Sequence, residues 1–168
     1  MKIYTRKGDK GETGLLYGDT VSKNSPLPEA YGTVDEAQAI LGLVRTECEK
    51  DSDLDSKIIH IERDLYVLMA ELATDPSKHH KLEEGKSKVS KKMVTFIEEF
   101  IDEITANFES PNEFVLPGQN KISALLDVAR TVVRRGERCV IACEIKNSLT
   151  IPYLNRLSDL LWVMARWQ

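Results

Sequence analysis

Cysteine and histidine are scarce in this chain of 168 residues, which has three of each. The cysteine count is odd and no Cys-x-x-Cys motif occurs, which argues against a disulfide framework and against a zinc site. Cys139 and Cys143 lie four residues apart, as expected for small apolar side chains one helical turn apart. A ferritin-like di-iron bundle is excluded too, because no histidine follows a glutamate by three residues among His60, His79 and His80.

Long hydrophobic runs are also missing. The first residues, MKIYTRKGDKG, lack the apolar stretch of a signal peptide, and no later stretch approaches the length of a membrane span. The 27 acidic residues outnumber the 23 lysines and arginines, and the net charge of −4 argues against general nucleic-acid binding. We therefore expect a cytoplasmic protein without a membrane or nucleic-acid partner, and the length predicts one domain over residues 1–168.

Apolar periodicity is present and predicts an all-α protein. Spacings of three and four recur in five segments separated by short connectors, whereas no strand pair is convincing. The sequence predicts a five-helix up-and-down bundle over residues 28–168, preceded by a glycine-rich loop segment over 1–27 with a short extended piece at Lys2–Tyr4. The helices are expected at about 29–49, 54–74, 87–108, 120–145 and 152–167.

The loop segment contains the cluster TRKGDKGETG over residues 5–14, with three glycines at intervals of three. Glycines let the backbone turn sharply and expose N–H groups, and the lysines and hydroxyls between them suit the binding of phosphates. The GxxxxGK[ST] spacing of a Walker A loop is absent. Taken alone, the cluster favours a flexible basic N-terminal tail.

Positive charge is concentrated in one predicted helix, where four arginines fall within nine residues of the run ALLDVARTVVRRGERCVIA. At about 100° per residue, Arg130, Arg134 and Glu137 share one stripe and Arg138 lies beside it. Guanidinium groups suit a phosphate chain better than a lone carboxylate. The alternative is a solvated face with ion pairs such as Arg134 with Glu137, and the run alone leaves both interpretations open.

The last predicted helix has a mixed polar and aromatic face. Asn155, Asp159, Trp162 and Arg166 form the stripe opposite its leucines, a pattern typical of a helix against another subunit or a site. Asn155 could also bond only to local backbone, and Arg156 with Asp159 could form a surface pair of little energetic value. No cluster unites histidine with serine or cysteine, so nucleophilic hydrolysis is not indicated. The remaining interpretation is a nucleotide polyphosphate bound by the glycine loop and the arginine helix.

Five stretches occur in order along the chain: YTRKGDKGETGLLYG, EAYGTVDEAQAILG, FVLPG, ALLDVARTVVRRGER and YLNRLSDLLWVMAR. Together they resemble the PduO-type ATP:cob(I)alamin adenosyltransferase family over essentially the whole chain. The resemblance implies a homotrimer that binds ATP and cobalamin where neighbouring subunits meet. It implies transfer of the 5′-deoxyadenosyl group of ATP to the cobalt of cob(I)alamin, which gives adenosylcobalamin and triphosphate. It also implies Mg²⁺ held mainly by the ATP phosphates and a corrinoid reductase as a partner.

The same resemblance implies an ATP-binding set. This set combines the glycine loop, one later lysine, part of the arginine helix and one asparagine of the last helix: Thr5, Arg6, Lys7, Gly8, Thr13, Gly14, Lys23, Arg134, Arg135, Gly136, Glu137, Arg138 and Asn155.

A smaller catalytic set is implied for Arg134, Asp35, Arg130 and Phe114. Arg134 would meet the charge of the leaving triphosphate. Asp35 and Arg130 would meet across the subunit boundary and shape the cobalamin side. Phe114 would lie against the lower face of the corrin, where exclusion of a ligand favours four-coordinate cobalt and eases its reduction.

The chain departs from the family pattern at several places. Gln119-Asn120 replace the glycine pair usual after LPG, Ala37-Gln38 replace leucine and asparagine after VDE, and the tail that some relatives place near the corrinoid is not expected here. These departures concern cobalamin affinity more than ATP binding. The rivals are an ATP-binding regulatory bundle that has lost transfer, a structural trimeric bundle without a ligand, and an enzyme that uses another nucleophile with ATP. The cobalamin-side residues favour transfer, because an ATP binder would not need them.

Overall fold

The computed structural model describes residues 2–4, 6–107, 111 and 113–167, which form five long helices, one short 3₁₀ helix and one small hairpin. The expected five-helix bundle is confirmed. The elements in chain order are β1 (Glu12–Gly14), β2 (Thr20–Ser22), α1 (Pro26–Glu47), α2 (Asp53–Leu72), the 3₁₀ helix (Pro76–Lys81), α3 (Lys91–Thr105), α4 (Lys121–Ile141) and α5 (Thr150–Trp167).

The hairpin corrects the expectation that no strand pair forms. β1 and β2 pair antiparallel, with Glu12 opposite Ser22 and Gly14 opposite Thr20. Each strand has only three residues and two of them are exposed, which is too short a pattern for the sequence to reveal. The extended piece expected at Lys2–Tyr4 forms no strand in the described residues.

Local capping sets several helix ends away from the expected positions. α1 begins at Pro26, because Ser25 is extended and proline suits the first turn of a helix. α3 begins at Lys91 instead of 87, because the Ser90 side chain accepts a hydrogen bond from the Met93 N–H. It ends at Thr105, and the expected end at Phe108 falls outside the described residues. The start of α4 is close to the prediction, since the Asn120 side chain caps it.

The core lies between α4 and its neighbours. α4 contacts both α1 and α5, α2 contacts α1, and α3 contacts α5. α1 and α4 run antiparallel, with Glu47 near Lys121 and Glu36 paired with Arg135. Gly136 packs against α1, where a Cβ on it would make ordinary contacts of 3.6 Å with side-chain carbons of Thr33 and Val34.

Two buried polar contacts join the helices through the core. The fully buried Tyr153 hydroxyl donates to Asp64 across 3.2 Å, and desolvation raises the pKa of Asp64 and the pKa of Tyr153. Arg166 of α5 donates to Asp127 of α4, and both residues are buried. The expected stripe opposite the leucines of α5 is therefore wrong at Arg166, which points into the bundle to satisfy a buried carboxylate.

The hairpin is fastened to the segment that follows α2. The Leu16 N–H donates to the Ala73 carbonyl across 2.8 Å, and the Lys78 ammonium lies 2.7 Å from the Asp19 carboxylate. The Tyr17 hydroxyl donates to the carbonyl of Lys81 across 3.3 Å. We call residues 73–81 the anchor segment, because these contacts hold the turn between β1 and β2 in place.

No helix in the described part of the chain is long and apolar enough to cross a membrane.

Candidate functional site

A cavity of about 540 Å³ opens beside the hairpin, and it brings together five residues of the ATP-binding set that the resemblance implies. These are Lys7, Gly8, Thr13, Gly14 and Lys23, and the carboxylate residue Glu12 also lines the cavity. β1 supplies part of one wall, and Lys23 follows directly after β2. The basic segment is therefore folded into a concave surface and is not a free tail.

The Lys23 side chain reaches across the glycine loop because Gly8 has no side chain. A Cβ on Gly8 would lie 2.9 Å from the Lys23 ammonium nitrogen and 3.4 Å from the Glu12 carbonyl oxygen. The backbone of Lys23 is also fixed, since its N–H donates to the Gly11 carbonyl across 2.8 Å. Gly11 itself has a φ of 83°, which favours glycine. The loop thus holds one ammonium group over exposed backbone, an arrangement suited to phosphate oxygens.

One described loop residue of the expected set, Arg6, does not line this cavity. Arg6 is exposed with a φ of 60°, and its guanidinium carbon lies 5.6 Å from the ring centroid of Tyr4. Thr5 lies outside the described residues.

A second hollow of about 340 Å³ lies between the start of α1 and the end of α4. Arg135 and Arg138 line it from α4, while Asn24 and Glu29 line it from the segment after the hairpin and from α1. Asn24 directly follows Lys23, so the chain passes from the first cavity to this hollow within two residues. The fold therefore brings the glycine loop close to two of the four arginines.

The arginines of α4 are held in different ways. Arg135 pairs with Glu36 of α1, and Arg138 donates to the carbonyl of Arg134 across 2.9 Å. Arg134 is exposed and forms no ion pair with any residue that the structure describes. The solvated pair of Arg134 with Glu137 that the spacing permits is therefore not formed.

Glu137 is instead bound to the last helix. The Asn155 side-chain amide donates to the Glu137 carboxylate across 3.2 Å. Arg156 in turn donates to the side-chain amide oxygen of Asn155 across 2.6 Å. Arg156 also pairs with Glu98 of α3, so the expected surface pair with Asp159 is not formed. Asn155 thus makes a contact between helices and does not merely bond to local backbone. Gly136 is buried and faces α1.

The residues expected on the cobalamin side do not meet within one protomer. Arg130 is half-buried and donates to Asp127 of the same helix across 3.0 Å. Asp35 is exposed on α1 and has no contact with Arg130 among the described interactions. Phe114 is 91% exposed. All three are thus open to a contact from outside the single bundle.

Sequence reasoning missed Asp127, which accepts hydrogen bonds from both Arg130 and Arg166. Its spacing of three residues before Arg130 is the signal that could have revealed it. It also missed Glu12, although this residue lies inside the glycine cluster. It missed Glu36 and Asn24 too, whose roles arise from contacts between distant segments.

Metal ligation and thiol chemistry find no support in the described residues. No group of three or more histidine, cysteine, aspartate or glutamate side chains there could hold a metal ion. All three cysteines are described and none forms a disulfide. Burial raises the pKa of the Cys143 thiol to about 11, so it is not a thiolate nucleophile near neutral pH.

Comparison with known proteins places this geometry in a family. The family model for cobalamin adenosyltransferase matches residues 3–168. A corrinoid adenosyltransferase of Bacillus subtilis is 39% identical over 99% of this chain and 86% of its own length. A corrinoid adenosyltransferase of Citrobacter freundii is 39% identical over 98% of this chain and 93% of its own length.

A solved structure shows the same architecture. It is a variant of the PduO-type ATP:corrinoid adenosyltransferase from Lactobacillus reuteri, complexed with cobalamin and ATP. It superposes with a TM-score of 0.88 at 30% identity, over 99% of this chain and 90% of that chain. The chain described here belongs to the cobalamin adenosyltransferase family.

Proposed function

We propose that this protein transfers the 5′-deoxyadenosyl group of ATP to the cobalt of cob(I)alamin. The observation that carries the proposal is the convergence of a basic glycine-loop cavity with the arginine-bearing half of α4. The family relationship supports the same reaction, since relatives over nearly the whole chain are corrinoid adenosyltransferases. Residues 1–168 would act as one domain, with residues 1–27 as the ATP-binding segment and 28–168 as the bundle.

The reaction requires alignment and charge stabilisation more than acid–base chemistry. Cobalt(I) donates an electron pair to the ribose 5′ carbon, a cobalt–carbon bond forms, and the bond from that carbon to the triphosphate oxygen breaks with its electron pair. Because cobalt(I) is already a strong nucleophile, no general base has to activate it. The chain's task is to hold the 5′ carbon in line with cobalt and to stabilise the charge on the triphosphate.

The glycine loop and α4 would divide the binding of ATP between them. The Lys23 ammonium lies over the Gly8 backbone at the loop cavity, and Lys7 also lines that cavity, so both are placed for phosphate oxygens. Arg134, exposed and without a carboxylate partner among the described residues, is placed to meet charge that develops on the leaving group. Arg135 and Arg138 would line the hollow between α1 and α4, and Asn155 would orient Glu137.

Magnesium fits this site as an ion held mainly by the triphosphate. Mg²⁺ usually keeps several waters and takes one or two carboxylates together with substrate phosphates. Glu12 is the carboxylate residue that lines the loop cavity, and no larger ligand cluster exists in the described chain. When bound, the ion would neutralise part of the phosphate charge, while Lys7 and Lys23 supply the remaining positive charge.

A second protomer completes the cobalamin side in this proposal. Asp35 is exposed and Arg130 is held by Asp127, so their expected pairing requires another subunit. Phe114 is nearly fully exposed, which suits a side chain that becomes covered by the corrin. We therefore include a homotrimer with sites at subunit boundaries. Exclusion of a lower ligand by Phe114 would favour four-coordinate cobalt(II) and make its reduction easier.

The cobalt must reach the cobalt(I) state before it attacks carbon. The proposal therefore includes a corrinoid reductase as electron donor and a cytoplasmic location, where the three unpaired cysteines are expected to stay reduced.

A spectroscopic assay tests the proposed reaction. The protein is mixed with ATP, Mg²⁺ and chemically reduced cobalamin in the absence of oxygen, and conversion to adenosylcobalamin is followed by its absorption spectrum, with triphosphate release measured in parallel. We expect both products in equal amounts. Binding of ATP without either product would instead support the alternative of an ATP-binding regulatory bundle that has lost transfer.

A further inference from the structure

A cavity of about 530 Å³ lies apart from the residues assigned above, between the 3₁₀ helix and the connector from α4 to α5. Its lining is basic: His79 and His80 come from the 3₁₀ helix, Lys88 comes from the segment before α3, and Lys146 comes from the connector. The single carboxylate in the lining belongs to Glu144. Three separate segments thus direct basic residues to one concave surface of an acidic protein.

The basic side chains of this cavity lack acidic partners. Within the residues that the structure describes, no ion pair within 4.0 Å involves any of the two lysines or two histidines. Four other lysines in the described part of the chain do pair with carboxylates: Lys57, Lys78, Lys86 and Lys121. Unpaired basic groups that converge repel one another, and an anion between them relieves that repulsion.

Both imidazole rings are fixed by backbone carbonyls. His79 Nε2 lies 3.2 Å from the Thr74 carbonyl oxygen, and His80 Nδ1 lies 3.1 Å from the Ser77 carbonyl oxygen. A carbonyl oxygen only accepts hydrogen bonds, so these two nitrogens are assigned as the protonated ones. The other nitrogen of each ring remains for a ligand, and it becomes a donor when the imidazole takes up a second proton.

The chemistry of the lining selects the class of ligand. A metal ion is not favoured, because the described residues hold no group of three or more suitable ligands. A carboxylate has two oxygens, fewer than the donors that the two lysine ammonium groups present. Phosphate groups carry more charge and more acceptor oxygens, and the two lysines outnumber Glu144. We propose that this cavity binds a small phosphate-bearing anion, at a site separate from the ATP site.

The three histidines of the chain make a direct test possible. Inorganic diphosphate is titrated into the full-length protein while the imidazole resonances are followed by NMR. Diphosphate can also occupy the glycine loop, but His79 and His80 line only the basic cavity. His60 is the internal control, because its ring stacks on Phe96 at a centroid distance of 3.9 Å. We expect saturable shifts at His79 and His80 alone, whereas equal shifts at all three histidines, or none, would overturn the proposal.

Variants sharpen the same titration. The double variant Lys88→Ala with Lys146→Ala should weaken diphosphate binding at this site on the order of tenfold or more, since two charged donors are lost. Lys86→Ala is the matched control, because Lys86 pairs with Glu83 and does not line the cavity, and it should leave the affinity unchanged. Glu144→Gln should strengthen binding by removing the one negative charge.

The proposal is rejected if the double variant binds diphosphate as tightly as the parent, or if Glu144→Gln weakens binding in a protein with an unchanged circular dichroism spectrum. A parallel titration with adenosine diphosphate distinguishes a site for phosphate groups alone from a site for a nucleotide. Equal affinity for both indicates recognition of the phosphates alone, and tighter binding of the nucleotide indicates a second nucleotide site. Neither source requires the proposed transfer reaction, so the two proposals can fail independently.

Discussion

The two halves of α4 use the same residue type for different purposes. In the first half, Arg130 is held by Asp127, which also binds the buried Arg166. In the second half, Arg134 is exposed and without an acidic partner among the described residues, while Arg138 only reaches a backbone carbonyl. The first arrangement ties α4 to α5 and fixes one guanidinium, and the second leaves guanidinium groups available.

The comparison shows that arginine spacing alone does not identify a ligand site. All four arginines fall on one short stretch of helix, yet acidic residues on the same helix and on α1 decide which of them can meet a substrate. Burial matters as well. Breaking a buried ion pair lowers the stability of the protein strongly, whereas removing an exposed arginine changes that stability little.

The largest expected effect concerns the first half of α4, where Asp127 binds Arg130 and Arg166. Asp127→Ala leaves the buried Arg166 without its carboxylate and should lower the free energy of unfolding by about 3–5 kcal/mol. Urea unfolding measures the change. Glu83→Ala, which removes an exposed pair with Lys86, is the control and should cost less than about 1 kcal/mol. Equal losses of unfolding free energy in the two variants would show that the buried pair matters no more than the exposed one.

The next effect tests the exposed half. Arg134→Ala should lower kcat for adenosyl transfer by about 10²–10³-fold, as expected for loss of one group that stabilises developing charge. The thermal unfolding midpoint should hardly change, because Arg134 is exposed. Lys121→Ala at the start of the same helix removes an exposed pair with Glu47 and should leave kcat unchanged. A drop in stability with normal kcat would show that Arg134 is structural.

A smaller effect extends the comparison to the glycine loop. A Cβ at Gly8 would lie 2.9 Å from the Lys23 ammonium nitrogen, so Gly8→Ala should displace that flexible side chain. We expect the KM for ATP to rise by about tenfold, the loss of roughly one charge-assisted hydrogen bond. The unfolding midpoint should stay the same. Gly18→Ala serves as a contrast, since its φ of 91° disfavours a side chain while nothing lies within 4 Å. We expect Gly18→Ala to lower the unfolding midpoint.

The smallest effect concerns Gly136, which packs the second half of α4 against α1. A Cβ at Gly136 would make ordinary contacts of 3.6 Å with α1, and alanine is the better helix former by about 1 kcal/mol. Gly136→Ala should therefore raise the free energy of unfolding by about 0.5–1 kcal/mol, measured by urea unfolding. Gly136→Leu should do the opposite, because there is no room for a larger side chain. Destabilisation by alanine would mean that α1 and α4 approach more closely than the structure shows.

The helices were predictable because their signal is local. α2 repeats apolar residues at spacings of three and four, and its buried residues Leu54, Ile58, Ile61, Leu65, Leu68 and Leu72 follow that repeat. The helix ends were less predictable, because they depend on single caps such as Ser90. The hairpin was missed since its two strands of three residues are stabilised by contacts to Ala73 and Lys78, which lie far away in the sequence.

The candidate site was predictable only as a set of residue types. The arginine run left phosphate binding and a solvated face both open, and the glycine cluster alone favoured a flexible tail. The resemblance supplied the assignment for each residue. The spacing could not show that Arg135 pairs with Glu36, or that Glu137 binds Asn155 and not Arg134. Those contacts depend on how α1 and α5 lie against α4, which no local pattern encodes.

The attachment of the hairpin to the anchor segment has a consequence for natural sequence variation in this protein. Asp19 and Lys78 lie 59 residues apart and neither belongs to the proposed ATP-binding set, yet their contact holds the turn that shapes the loop cavity. A substitution at either position would present itself as a defect in nucleotide affinity. A survey of sequence variation limited to residues that contact the substrate would overlook such positions.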